Sequence, residues 1–182
     1  MRIRRCDGFT LVEFMIVSGI ISIISAISFP AVSRWYLNTC LHSAMMEIAE
    51  AVRETKRQVI ATDEDRAVVF EVTKGAVYVA AGKGPDGKWG TADDVVLRRF
   101  SISRHGAISF GYGSCGPPSG LAASDDGITF SGNYLVCNTK LTGSAGTVYL
   151  KSSAGGAMAL TMNSTDFGYS LRKWDGKKWV IM

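Results

Sequence analysis

The chain has 182 residues, of which 47% are hydrophobic and 20% are charged, and its formal net charge is +4. This composition excludes an intrinsically disordered protein, and the length is sufficient for a domain with its own hydrophobic core. The charge excess is too small to indicate nucleic-acid binding by bulk electrostatics.

The first predicted element is an apolar helix that follows a group of arginines. Residues 14–33 contain no charged side chain, and this is about the length of helix that crosses a hydrocarbon core. The arginines at positions 2, 4 and 5 predict a cytoplasmic N-terminus. A secretory signal peptide is one alternative, but the segment lacks a good Ala-x-Ala cleavage site. An ordinary membrane anchor is another, but it does not explain Glu13, a carboxylate beside lipid.

The stretch "GFTLVEFMIVSGIISIISAISFP" resembles the N-terminal segment of type IV pilins and type II secretion pseudopilins. In that family a prepilin peptidase cleaves after the glycine, here Gly8, and methylates the new terminal amine, here that of Phe9. The resemblance makes Glu13 an assembly residue that pairs with the terminal amine of a neighbouring subunit. The alternative is a carboxylate that only reaches the membrane interface. Pro30 is expected to kink or soften the helix.

After Pro30 the pattern remains helical. Apolar residues recur at spacings of three, four and seven up to about Ala61, and the polar run Thr62–Arg66 predicts the helix end. From Ala67 the period changes to two, in short runs separated by turn residues. These runs are AVVFEVT, AVYVAA, DVVLRRFSIS, AISFGYG, GITFSG, NYLVCN, TVYLKS, AMALTMN, YSLRKW and KWVIM.

The predicted fold class is α+β: one long N-terminal helix packed on an antiparallel β-sheet, which the resemblance implies is the pilin fold. Four parts are predicted along the chain. Residues 1–8 are a leader peptide, 9–32 a transmembrane and assembly segment, 33–62 the amphipathic half of the helix, and 63–182 a β-rich globular domain.

The order of the β-runs between Arg66 and Trp174 resembles the GspH/FimT group of minor pseudopilins. The FimT branch often ends in a Gly-Arg-x-Arg pattern that is used for DNA uptake. The corresponding stretch here is "FGYSLRKW", in which Tyr169 stands where that pattern has its first arginine. This departure weighs against DNA binding.

The stretch Gly82–Val96, "GKGPDGKWGTADDVV", is rich in glycine and aspartate. Its acids are too few and wrongly spaced for an EF-hand. It resembles the calcium loop of major type II pseudopilins, and the resemblance makes Asp86, Asp93 and Asp94 candidate calcium ligands together with loop carbonyls. The alternative is a hairpin turn with solvated acids. Calcium is the only cofactor predicted.

Two further sets of residues are candidate sites. Cys115 and Cys137 lie in a turn-rich region and are candidates for a disulfide in an oxidising compartment, with two unpaired thiols as the alternative. The C-terminal stretch interleaves basic and aromatic residues that are candidates for contacts to a single-stranded nucleic acid: Arg172, Lys173, Trp174, Lys177 and Lys178. The alternative for this stretch is a β-hairpin with lysines facing solvent.

These features together predict a minor pilin-like subunit of a type II secretion pseudopilus or a type IV pilus. A single pass would hold it in the bacterial inner membrane, with the globular domain in the periplasm, or outside the cell in a pilus. The implied partners are other pilin subunits, a prepilin peptidase and an inner-membrane assembly platform. No enzyme motif is present, so we expect no catalytic activity. The alternatives are a DNA-uptake pilin and a membrane-anchored solute-binding module, which would not need Glu13.

Overall fold

The structure, a computed structural model, describes residues 10–105 and 107–182. It opens with one helix, α1 (Leu11–Thr62), of 52 residues. The predicted single helix ending near Ala61 is confirmed. Asp63 follows in a left-handed conformation with φ of 53°, which an α-helix cannot continue. The chain divides into two compact units, residues 1–36 and Leu37–Met182.

Within the described part of the first unit, α1 carries large apolar side chains that are exposed all round, from Leu11 to Trp35. This stretch is long and apolar enough to cross a membrane, and none of the residues in its most apolar window is buried. A helix that is apolar on every side needs lipid or other helices around it. Pro30 lies inside the helix, which continues through it.

The second unit contains the lower half of α1 and all the described strands: β1 (Arg66–Glu71), β2 (Ala76–Gly82), β3 (Val95–Ser101), β4 (Ile108–Phe110), β5 (Tyr134–Cys137), β6 (Gly146–Ser152), β7 (Ala157–Met162), β8 (Tyr169–Trp174) and β9 (Trp179–Ile181). They form two antiparallel sheets, with strand orders β3-β2-β1-β5 and β4-β6-β7-β8-β9. The α+β class is confirmed, but the strands make two sheets where the sequence predicted one.

One hydrophobic core joins α1 to the inner faces of both sheets. The helix contributes the apolar residues that recur every three or four positions along one face. They include Met45, Ile48 and Val52, none of which is more than 1% exposed. Val68 and Phe70 of β1 and Leu160 of β7 belong to the same cluster. Because the core is shared, the helix and the two sheets are expected to unfold together.

One of the predicted β-runs, residues 127–132, is not a strand. It makes only an isolated bridge between Ile128 and Val148, and then turns through Gly132, whose φ is 72°. The edge of β6 that it approaches is already occupied over Leu150–Ser152 by β4. The run therefore extends that edge by two backbone hydrogen bonds and no further.

A second, smaller cluster lies on the outer face of the first sheet. Ala67, Val69, Tyr78 and Ala80 are buried there, and the indole of Trp89 packs against them. Trp89 belongs to the loop between β2 and β3, so this loop folds back over the sheet. This explains why β1 is buried on both of its faces.

Candidate functional site

The first turn of α1 is closed by a reciprocal hydrogen-bonded cap. The backbone N–H and the hydroxyl of Thr10 donate to Oε2 of Glu13, at 2.9 and 2.8 Å, and the Glu13 N–H donates to the Thr10 hydroxyl at 3.2 Å. This is a capping box, in which a Thr at the N-cap and a Glu three residues later satisfy each other's amides. Oε1 of Glu13 has no hydrogen-bond partner among the described residues. One carboxylate oxygen is therefore held, and the other is presented outward.

Glu13 is the one charged side chain in residues 10–33. Its neighbours on the helix, Val12 and Phe14, are each 63% exposed. Ser22, further along, donates its hydroxyl to the carbonyl of Ser18 at 2.8 Å, so this polar group is satisfied within its own helix. Gly8 and Phe9, the predicted processing residues, lie outside the described residues. The assembly roles of Glu13 and Pro30 stay predictions.

The glycine- and aspartate-rich loop is anchored by Asp94, which is turned inward. Its Oδ2 accepts hydrogen bonds from the Tyr78 hydroxyl and from the Gly90 N–H, both at 2.8 Å. Asp94 is only 9% exposed, and its Oδ1 is buried without a hydrogen-bond partner among the described residues. Burial, and then the hydrogen bond to Asp94, raise the pKa of Tyr78 well above its usual range. Asp94 therefore ties the loop to the sheet.

The other two aspartates of the loop face solvent. Asp86 caps the turn by accepting from the Lys88 N–H at 2.9 Å, and the Asp86 N–H approaches Oδ2 of Asp93 at 3.4 Å. The Thr91 hydroxyl beside Asp93 lowers the pKa of its carboxyl. Within residues 10–105 and 107–182, no group of three or more His, Cys, Asp or Glu side chains is arranged to hold a metal ion. The structure thus does not bring the three predicted ligands together, and calcium binding stays a prediction.

The predicted disulfide between Cys115 and Cys137 is not formed, and both residues are free thiols. The Cys115 thiol faces the carbonyl of Gly155 at 3.6 Å, whereas Cys137 is fully buried in the core and faces the carbonyl of Asn138. Burial raises the pKa of the Cys137 thiol to about 11. The two residues belong to different parts of the fold, and the sequence alone does not indicate the distance between them in space.

The basic and aromatic stretch forms the hairpin β8–β9, as the alternative interpretation predicted. We call it the basic hairpin. Its turn is closed by Asp175, whose Oδ1 accepts from the N–H groups of Lys177 and Lys178 at 2.8 and 2.7 Å. The rings of Trp174 and Trp179 meet edge to face at 5.8 Å. The Trp179 Nε1 donates to the carbonyl of Gly116 at 3.1 Å, so this indole is packed into the protein.

One face of the basic hairpin and the loop Pro117–Ser119 enclose a groove of about 480 Å³. Arg172, Lys177 and Lys178 line this groove, and none of the acidic residues that the structure describes does. Lys173 lies on the opposite face, where it lines a separate cavity with Asp175. The structure therefore places three of the four predicted cations around one groove.

Two structural roles are absent from the sequence-based predictions. The cap formed by Thr10 has a recognisable sequence signal, Thr-x-x-Glu before an apolar run. The anchor between Tyr78 and Asp94 has none, because it joins a strand to a loop residue 16 positions away.

The N-terminal residues 3–29 match the family described as the prokaryotic N-terminal methylation motif. Among solved structures, the chain is similar to the minor pseudopilin EpsH from the type 2 secretion system of Vibrio cholerae. The two are 9% identical with a TM-score of 0.44, over 77% of this chain and 93% of that one. Likeness at this level supports no conclusion about function. No curated protein matches the chain. What the comparisons establish is therefore an N-terminal methylation motif at the start of an apolar helix, over residues 3–29.

Proposed function

We propose that this chain is a minor pseudopilin or pilin that is processed after Gly8 and assembled, helix against helix, into a type II secretion pseudopilus or a type IV pilus. The observation that carries the proposal is Glu13, a capped carboxylate at the start of an exposed apolar helix within the methylation motif. A subunit that packs against other helices has a use for this arrangement, because a neighbour can supply the cation that pairs with the carboxylate.

The chemistry of assembly follows from the cost of placing a charge beside lipid. A carboxylate at the centre of a membrane helix costs roughly 2.5–3.5 kcal/mol, and less near its end. Cleavage after Gly8 creates an α-amine on Phe9, which is positively charged near neutral pH because its pKa is about 7.7–8.0. The Thr10 cap holds Oε2 of Glu13, so Oε1 is the oxygen that accepts from the amine of a neighbour.

The orientation in the membrane follows from the arginines at positions 2, 4 and 5. They hold residues 1–8 on the cytoplasmic side, where a prepilin peptidase cleaves and methylates. The β-rich unit then faces the periplasm, or the outside of the cell in a pilus. An inner-membrane assembly platform would take the subunit from the bilayer into the filament.

The processing step is tested by co-expressing the full chain with a prepilin peptidase and measuring its intact mass. We expect the loss of residues 1–8 and the gain of a methyl group, and we expect neither in a Gly8→Val variant. An unchanged mass of the unsubstituted chain would refute the proposal.

The assembly step is tested by the substitution Glu13→Gln, which removes the charge but keeps an oxygen to accept from Thr10. We expect this variant to be processed but lost from sheared, pelleted filaments. Asp125→Asn is the matched control, since it removes an exposed carboxylate outside α1. Equal recovery of the Glu13 variant and the control in filaments would show that the carboxylate does not pair with a terminal amine.

DNA uptake through the basic hairpin is the second candidate, favoured by the cations around the groove. It is tested by gel-shift assays on the full chain in detergent micelles, with Lys177→Ala/Lys178→Ala as the variant. Lys83→Ala/Lys88→Ala is the matched control, because it removes two other exposed lysines. Retardation that is lost only in the first variant would support DNA binding, and no retardation of the unsubstituted chain would exclude it.

A further inference from the structure

The strand β9 is the last strand of its sheet and is paired on one side only, with β8. In an antiparallel pair, the backbone groups of successive residues point alternately toward the partner strand and away from it. The Met182 N–H donates to the Leu171 carbonyl at 3.0 Å, so the backbone of Met182 faces β8. Because the direction alternates along the strand, the backbone N–H and C=O of Val180, two residues earlier, also face β8. Those of Trp179 and Ile181 therefore face the open side, and they have no partner among the described residues.

The same edge exposes apolar side chains. Val180, Ile181 and Met182 are 42%, 67% and 58% exposed. Unpaired backbone groups beside exposed apolar residues form a template on which another strand can add. The edge thus has both features that an added polypeptide strand requires.

The charge around this edge is positive and unpaired. Neither Arg172 nor the lysines of the basic hairpin form an ion pair within the described part of the chain. In addition, Nη1 of Arg172 is buried without a hydrogen-bond partner among the described residues. Arg172 nevertheless lines the groove, and its guanidinium and the lysine ammonium groups are donors that bind carboxylates.

One edge strand of the other sheet, β3, differs in these respects. It also exposes valine and leucine, but its two arginines are paired, Arg98 with Glu47 at 3.3 Å and Arg99 with Glu71 at 3.4 Å. Its register against β2 is interrupted by bulges, which disfavour the addition of a further strand. Unlike the edge at β3, the edge at β9 combines open backbone groups with unpaired cations among the described residues.

The aromatic residues favour a polypeptide over a nucleic acid as the occupant. A single strand of nucleic acid is held by bases that stack on free aromatic faces. The indoles of Trp174 and Trp179 instead pack against each other, and Trp179 is hydrogen-bonded to Gly116. Open backbone N–H and C=O groups, in contrast, pair with another peptide backbone.

We propose that the groove between the basic hairpin and Pro117–Ser119 binds an extended acidic polypeptide segment of a partner protein. The segment adds to the open edge of β9, and its carboxylates are bound by Arg172, Lys177 and Lys178. This binding does not depend on whether the subunit belongs to a secretion pseudopilus or to a pilus.

The backbone part of the proposal is tested with Ile181→Pro in the full chain in detergent micelles. The substitution removes an N–H that faces the open side and leaves the hydrogen bonds between β8 and β9 in place. The probe is a fluorescently labelled peptide of alternating Glu and Val, titrated by anisotropy. We expect affinity to fall about tenfold or more, equivalent to about 1.4 kcal/mol. Ile181→Ala, which loses the same side chain but keeps the N–H, is the matched control and should bind more tightly than Ile181→Pro. Equal affinity of these two variants would overturn the backbone part of the proposal.

The charge part is tested with Lys177→Glu/Lys178→Glu, which also provides a result if the proline variant does not fold. We expect this variant to lose the Glu-Val peptide and to gain a Lys-Val peptide, whereas Lys83→Glu/Lys88→Glu should behave like the unsubstituted chain. The unsubstituted chain should bind the acidic peptide in preference to the basic one and to oligothymidine. Equal affinity for both peptides, stronger binding of oligothymidine, or no binding of any probe would overturn the proposal.

Discussion

The hydrogen bond between Tyr78 and Asp94 provides a direct test of how the glycine- and aspartate-rich loop is held. The substitution Tyr78→Phe removes one hydroxyl and keeps the ring, which lies beside Ala80 and under the Arg99 guanidinium. Asp94 then retains only the Gly90 N–H on Oδ2, while its Oδ1 already lacks a partner. Because the acceptor is a buried carboxylate, we expect a loss of about 1.5–3 kcal/mol in the free energy of unfolding.

The assay is urea unfolding of the full chain in detergent micelles, followed by tryptophan fluorescence. In a thermal melt of a unit of this size, the expected loss of stability corresponds to a decrease in melting temperature of about 3–12 °C. Tyr134→Phe is the matched control, because Tyr134 packs on the same outer face and its hydroxyl has no hydrogen-bond partner among the described residues. It should change stability by less than about 0.5 kcal/mol.

The pH dependence gives an independent measurement of the same contact. The pKa of Tyr78 is raised in the folded state by burial and by Asp94, so folding favours the protonated phenol. Its contribution is complete below the unfolded pKa of about 10 and is lost as the pH rises above that value, by up to about 1.4 kcal/mol per pH unit. Tyr78→Phe should flatten this part of the profile. Equal stability of the two proteins at neutral pH, or equal slopes above pH ~10, would refute the role given to this contact.

Three further predictions concern other parts of the second unit. Met45→Ala removes a fully buried side chain from the shared core and should cost about 2–5 kcal/mol in urea unfolding; a loss below about 1 kcal/mol would contradict the packing. If the loop binds calcium, ~1 mM Ca²⁺ should raise the melting temperature of the chain but not of Asp93→Asn; no rise in either would exclude the site. Asp126 is partly buried, but hydrogen bonds from Ser124, Ile128 and Asn133 outweigh this and lower its pKa. Its contribution to stability should be lost as the pH falls below about 4, and Asp126→Asn should weaken this acid dependence in thermal melts.

The helix could be predicted almost to the residue because its signals are local. The apolar spacing up to Val59 and the acids after Thr62 act within a few turns, and the observed end at Thr62 agrees with them. The strands were also predicted from local alternation, with the exception of residues 127–132. That run has the pattern of a strand, but β4 already pairs with the part of β6 that it would need.

The candidate sites depended on contacts between distant residues, and most of these could not be predicted. The sequence grouped Asp86, Asp93 and Asp94 as equals, whereas the fold turns Asp94 inward to Tyr78 and leaves the other two in solvent. The sequence also suggested a disulfide between Cys115 and Cys137, whereas the structure contains both residues as free thiols. Side-chain spacing along the chain carries no information about such distances.

By itself, the sequence determined the N-terminal methylation motif, the long helix and most of the strands, because each of these rests on a local pattern or a contiguous motif. The tertiary structure alone decided that the strands form two sheets, that one loop covers the first sheet, and that Arg172, Lys177 and Lys178 line one groove. The physical reason is that strand pairing and burial depend on which distant segments compete for the same edge or face.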